Sequence, residues 1–346
     1  MKKTNYLALA ATAAISAVLC MTGCSDTDTE TEYVEKIVEK EVSPFRSTFT
    51  KLEDYQKVDM VTVTDKAVTV TGSDENKVTI GNRTNKGVFV KDQTVTLQPY
   101  EMGKYEVTQE LFEAVMGYNN SYFQGNTADK KASDCEVQKY RPADNVSWYD
   151  AIVFCNKLTL FSGMTAEDLV YSVKIDGKEI DWKNIKYYES LLKNAYDNQD
   201  ALKECKPDLT KKGYRLPTEA EWLFAARGGD PEAEAWNYEY LVAPLDENDV
   251  TEYMDGEEKK TKNNYTALKE AAWVYFNSDS RTHETGLKKA NSLGLYDIIG
   301  NIGERYINAD GSCGYYTYYY DYHPSYGTHF LDDKNIGTGF RLARSL

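Results

Sequence analysis

The stretch Gly213-Tyr214-Arg215-Leu216-Pro217-Thr218-Glu219-Ala220-Glu221-Trp222 decides how the rest of the chain is read. Thr218 and Glu221 stand three apart at the head of an apolar run. A threonine hydroxyl there accepts a backbone N–H of the first turn, while the glutamate carboxylate reaches back to the N–H of the cap residue. The spacing predicts a helix that carries Trp222, Ala225 and Ala226 and stops at Gly228-Gly229.

Two more helices precede it. Thr108 stands before Leu111, Phe112, Val115 and Met116, an apolar stripe at helical spacing. Ser147 and Asp150 form a capping box with Asp in place of Glu, followed by Ala151, Phe154, Cys155 and Leu158 on one face. From about residue 58 to 97 the pattern alternates instead: Val61-Thr62-Val63-Thr64, Val68-Thr69-Val70-Thr71, Val78-Thr79-Ile80, Val88-Phe89-Val90 and Val95-Thr96-Leu97. Turn residues separate these runs, which read as strands with one buried face. Two charged, polar stretches, near 165–212 and 241–268, read as surface insertions on the same domain.

The N-terminus has a different grammar. A positive head, Met1-Lys2-Lys3, leads into the apolar run Tyr6–Leu19. Those 14 residues are too few for a bilayer core of about 30 Å, which needs roughly 20 in a helix, and suit the centre of a secretory signal. The run ends at Met21-Thr22-Gly23-Cys24, which resembles the bacterial lipobox, with Met21 where Leu is usual. That resemblance implies removal of residues 1–23, lipid on Cys24, and a place in the bacterial cell envelope at its outer surface. Residues 24–57 then read as an acidic, solvated linker, and 58–346 as the folded domain. The membrane is met through the lipid alone.

A formal charge of −15 excludes nucleic acid as a partner, because its binding requires Lys and Arg to neutralise phosphates. Past the lipidation site, Cys135, Cys155, Cys205 and Cys313 show no CxxC spacing and no disulfide framework. Tyrosine is the outlier, with 28 against 11 phenylalanines, and the excess gathers near the C-terminus.

Several blocks together resemble the formylglycine-generating-enzyme, or sulfatase-modifying-factor, family. They are Tyr105-Glu106-Val107-Thr108, Val146-Ser147-Trp148-Tyr149-Asp150-Ala151, Phe154-Cys155-Asn156, the Gly213 to Gly229 block, Asn291 to Asp297, Gly300-Asn301, and Gly339-Phe340-Arg341-Leu342-Ala343. The resemblance implies an α+β architecture, a C-type lectin-like fold of the formylglycine-generating-enzyme type with irregular loops. Catalytic members use two cysteines in the C-terminal segment to oxidise a substrate cysteine. Here that region runs from Arg305 to Cys313 with no cysteine after it, so the pair is missing. The reading is a non-catalytic member with no redox cofactor. An oxidoreductase working through Cys313 is the rival, and a structural envelope protein with one fixed protein partner is a third reading.

The same resemblance implies a structural calcium. Carried across, Asp297 and Glu304 would give side-chain oxygens, and Gly300 and Ile302 backbone carbonyls, a donor set suited to a hard cation. The chain departs from the family's Trp-Glu-Trp there, reading Gly303-Glu304-Arg305.

Seven tyrosines fall within residues 315–326: Tyr315, Tyr316, Tyr318, Tyr319, Tyr320, Tyr322 and Tyr326, interleaved with Asp321 and His323. Neither a strand nor a helix period explains the run. A core would favour Phe or Leu, since every buried phenol needs a hydrogen-bond partner. Tyrosine among small polar residues is instead the vocabulary of binding loops. With Tyr306, these residues form the expected surface for a protein or glycan ligand. The segment from Tyr306 to Asn335 also resembles the diversified C-terminal segment of variable proteins of diversity-generating retroelements, such as the lipid-anchored one of treponemes.

Overall fold

The computed structural model describes residues 58–346 apart from 74–77, 81–82, 86–87, 129, 135, 173, 176–177, 181, 183–204, 238–247, 256–257, 264, 275–276, 310, 312, 318–324 and 328–335. Six strands come first: β1 (Met60–Thr64), β2 (Val68–Thr71), β3 (Val78–Ile80), β4 (Arg83–Asn85), β5 (Thr94–Leu97) and β6 (Tyr100–Glu106). Helices α1 (Gln109–Met116) and α2 (Trp148–Phe161) follow, then β7 (Lys174–Ile175), β8 (Lys178–Glu179) and β9 (Tyr214–Arg215). Next are α3 (Glu219–Ala226), the hairpin β10 (Val250–Asp255) and β11 (Glu258–Asn263), and α4 (Thr266–Ala271). The C-terminal part holds β12 (Gly303–Ile307), β13 (Cys313–Thr317), β14 (Ser325–Gly327), β15 (Thr338–Gly339) and β16 (Arg341–Ser345).

All three expected caps form. Thr108 accepts the Leu111 N–H, and Ser147 with Asp150, like Thr218 with Glu221, makes a reciprocal capping box. Helix α2 is buried on every side from Trp148 to Thr159, as expected of a helix at the centre of a domain and not on its surface.

One four-stranded sheet, ordered β1-β6-β16-β9, carries apolar residues on both faces. Tyr100 and Met102 of β6 enter the cluster that holds Trp222, Leu223 and Phe224 of α3. Leu342 of β16 enters the cluster built by α1 and α2, with Phe112, Phe154 and Phe340 stacked through it. Strand β16 also pairs with β9 across Ala343↔Arg215, which brings the last residues of the chain against the Gly213–Trp222 stretch.

Two expectations need correction. Residues 88–90 do not form a strand; Val90 makes only a bridge, and Phe89 and Val90 are buried where the chain turns over Gly72. A Cβ on Gly72 would lie 2.2 Å from the Val90 carbonyl oxygen, so the two segments cross at backbone contact. The stretch 165–212, expected as a surface insertion, contributes Val170, Tyr171, Ile180, Trp182 and Cys205 to the main core. Its apolar residues are scattered among charges, and tertiary packing collects what the local pattern dilutes. The second stretch, 241–268, includes the charged hairpin β10–β11 and part of α4, whose Leu268 is buried.

Candidate functional site

The C-terminal sheet is ordered β14-β13-β12-β15. Its inner strand β12 is buried along its whole length, with Tyr306 in the α3 cluster and Ile307 in the α1–α2 cluster. Strand β13 lies antiparallel beside it, in the register Glu304↔Tyr316, Arg305↔Tyr315 and Ile307↔Cys313. Strand β14 follows outward, with Tyr315↔Gly327 and Tyr316↔Tyr326. The backbones of Tyr315 and Tyr316 therefore stand on the strand next to β12, and that of Tyr326 on the outer strand beyond it. Tyr318, Tyr319, Tyr320, Asp321, Tyr322 and His323 lie outside the described residues. Tyr306 corrects the expectation: it is 3 % exposed, and a ring packed against α3 is no part of a binding surface.

Glu304, on β12, is the hub beneath this sheet. Its carboxylate accepts from Arg341 Nε at 3.0 and 2.9 Å and from Arg341 Nη2 at 2.6 Å. Its Oε2 also accepts the Trp222 indole N–H at 2.6 Å. Next to Trp222, the Arg215 guanidinium grips Glu221 with two bonds of 2.7 and 2.8 Å, and the Tyr100 hydroxyl donates to the Glu221 carbonyl. The opening motif thus does two jobs. Glu221 caps α3 and pairs with Arg215, while Trp222 hands α3 to the C-terminal sheet.

Around this hub lie the residues expected to hold calcium. Asp297 is buried and its Oδ2 accepts the Gly286 N–H at 2.6 Å. Gly300 has φ +80°, and a Cβ there would come 2.0 Å from the Trp273 carbonyl oxygen. The Ile302 N–H and the Asn301 side-chain amide both donate to Glu106. Burial, with Asp297 and Glu304 nearby, holds the Glu106 carboxyl well above the usual carboxylate range. Both Glu304 oxygens are taken by Arg341 and Trp222, so Glu304 as arranged is not open to a calcium ion.

Some structural residues were missed in the sequence. His283 stacks on Trp273 at a centroid distance of 3.7 Å and links Glu136, 2.8 Å from Nδ1, to the Ser278 carbonyl, 2.9 Å from Nε2. Lys288 Nζ lies 3.7 Å from the centroid of the same indole and donates to the Lys269 carbonyl at 2.6 Å. Burial pushes this amine down to about 8, against the pull of Asp297 and Glu270. A lysine lowered on folding binds fewer protons than the unfolded chain does between its two pKa values. Stability is therefore expected to rise with pH from about 8 to about 10.4, by at most roughly 3 kcal/mol. Urea unfolding of wild type and Lys288→Met across that window checks this, since the variant should lose the slope.

Asp144 closes the site. It accepts the Phe123 N–H at 3.2 Å and the Gly337 N–H at 3.1 Å, so the chain returning from the tyrosine-rich segment is fastened to the scaffold. Cys155 and Cys205 are buried thiols, and burial raises the Cys155 thiol further from the reactive thiolate. The Cys313 backbone sits at the start of β13, opposite Ile307.

Helices on both faces of one sheet, a second sheet at the C-terminus and long irregular connections define a lectin-like α+β domain of the formylglycine-generating-enzyme type. The chain belongs to the family of the sulfatase-modifying factor enzyme 1-like domain, whose model matches residues 48–345. It is 31% identical to the "Chaperone protein LppX" of Paenibacillus barcinonensis over 245 residues, covering 70% of this chain and 71% of that one. It is also similar in structure to "Treponema denticola variable protein 1", with a TM-score of 0.59 and 28% identity. That match covers 83% of this chain and 99% of the other. No helix among the described residues is long and apolar enough to cross a membrane.

Proposed function

We propose that the protein is a non-catalytic binding protein, held at the cell envelope by lipid on Cys24, whose tyrosine-rich C-terminal segment takes a protein or glycan ligand. The observation that carries this is the division of labour in the C-terminal sheet. Strand β12 is locked into two cores, β13 with Tyr315 and Tyr316 pairs along one edge of it, and β14 with Tyr326 is the outermost strand on that side. Rigid support beneath an aromatic patch suits recognition, since a few well-held aromatic anchors dominate binding energy. The similarity to a treponemal variable protein supports reading residues 306–335 as a diversified segment. Binding without catalysis is supported by the missing cysteine pair, with Cys313 the last cysteine in the chain.

The test has a genetic and a physical arm. A near-copy of the 3′ coding segment beside the gene, differing where the copy has adenine, is the expected result for a diversified segment. The triple substitution of Tyr318, Tyr320 and Tyr322 by Ala should shift the melting temperature by no more than about 2 °C, as surface changes do. A loss of about 10 °C or more would place these tyrosines in a core and end this reading.

The relative named as a chaperone favours a second version, in which the patch docks one fixed protein partner. Sequences of sister strains separate the two: substitutions clustered at residues 315–326 support a varied ligand, and an unchanged patch supports a fixed one.

A further inference from the structure

The Arg141 side chain is 0 % exposed, and two of its three guanidinium nitrogens are bonded. Nε donates to the Thr282 hydroxyl at 3.0 Å, and Nη1 to the Lys130 carbonyl at 2.7 Å and the Gln138 side-chain oxygen at 3.0 Å. Nη2 is buried and donates to nothing. Arg281, half-buried, lies close enough for its charge to act against that of Arg141, and its Nε too is buried with no acceptor. Burial and this neighbouring charge push Arg141 down to about 10. The turn that presents Arg281 places Asp279 at φ +50° and Ser280 at φ +56°, a left-handed conformation that is costly outside glycine and clusters at functional sites.

Two like charges are thus held together without a bonded counter-ion. The carboxylates that act on Arg141, Glu136 and Asp144, are committed elsewhere. Glu136 meets the His283 ring and the Glu284 N–H, and Asp144 accepts from Phe123 and Gly337. Among the described residues neither guanidinium has an ion-pair partner. A buried charge is costly unless it is paired and hydrogen-bonded. We infer that Arg141 and Arg281 form a binding site for a small tetrahedral oxyanion, phosphate or sulfate, which would bridge Arg141 Nη2 and the Arg281 guanidinium. A doubly charged ion answers both positive charges, and its several oxygens suit the planar forks of two arginines. Arg141 is the fixed wall, held by Thr282, Lys130 and Gln138 with the Phe123 ring centroid 5.8 Å from Cζ. Arg281 is the movable one, because it alone of the pair reaches solvent, and turning it outward admits the ion to Nη2.

This goes beyond the binding reading and stands or falls without it, because the tyrosine segment does not enter the test. The lipidated protein in detergent is melted in sodium chloride and in about 10 mM sodium sulfate or phosphate at the same ionic strength. For a Kd of about 0.1 mM, the divalent ions should raise the melting temperature by about 5 °C or more. Both ions also stabilise proteins generally by exclusion from the surface, so the reading is the difference between wild type and Arg281→Met. The variant is expected to fold and to lack the site-specific rise. No rise in wild type, or an equal rise in both proteins, overturns the inference. Equilibrium dialysis against radiolabelled sulfate should find one ion per wild-type chain, and none bound overturns it whatever the variant does. Methyl phosphate then separates the sources of the anion. A rise with it as well as with phosphate means that the site takes the head group of a larger ligand, and a rise with the inorganic ions alone means that it holds a free ion.

Discussion

Glu304→Ala is expected to lower the melting temperature by about 10 °C or more. The change leaves Arg341, 0 % exposed, with backbone carbonyls as its only remaining acceptors, and takes away the acceptor of the Trp222 indole N–H at 2.6 Å. Removing one member of a buried ion pair costs about 3–5 kcal/mol, here offset in part by the Glu106 and Asp297 carboxyls that also act on Arg341. Orphaning a buried donor adds roughly 1–3 kcal/mol. Against a total stability of about 5–15 kcal/mol, that is most of what holds a domain folded. Glu304→Gln, which keeps the shape and loses the charge, should fall between the variant and wild type. Thermal melts followed by circular dichroism on the three proteins check the order. A Glu304→Ala protein melting within about 2 °C of wild type would mean that the hub contributes nothing.

Gly300→Ala is expected to be nearly as damaging, for a backbone reason. Gly300 sits at φ +80°, where an alanine is strained, and a Cβ would meet the Trp273 carbonyl oxygen at 2.0 Å. That oxygen cannot step aside, since it accepts the Asn301 N–H at 2.8 Å, and Trp273 and Gly300 bridge as parallel strands. The loss should exceed about 3 kcal/mol, the range for steric and backbone changes at buried positions. Gly117→Ala is the control: it shares a positive φ of +83°, but nothing lies within 4 Å of the added atom. It should cost about 1 kcal/mol, as a strained conformation alone does. Equal losses at the two positions would show that the close approach to Trp273 is unimportant.

What could be read from the sequence follows from the range of the interactions. The caps at Thr108, Ser147 and Thr218 act over three residues, and all were legible. The Arg215–Glu221 pair lies within the same motif, six residues apart. The hub was not legible, because Trp222 and Glu304 are 82 residues apart and Arg341 lies 37 further on. Gly339-Phe340-Arg341 was visible as a motif, but nothing local says that its arginine points at Glu304. Tyr306 was misplaced by association with the tyrosines after it. Its strand, β12, is buried on both faces, and alternation does not mark such a strand.

The tyrosines of the C-terminal segment are expected to face solvent, whereas Tyr100, Tyr171 and Tyr306 of the scaffold are interior. Nitration of the native protein with tetranitromethane, mapped residue by residue by mass spectrometry, tests it without knowledge of the ligand. Fast modification is expected at Tyr318, Tyr319, Tyr320 and Tyr322, with Tyr100, Tyr171 and Tyr306, all 3 % exposed or less, protected until the protein unfolds. Protection of Tyr318 to Tyr322 equal to that of Tyr306 would contradict it, and the C-terminal segment would then be part of the core.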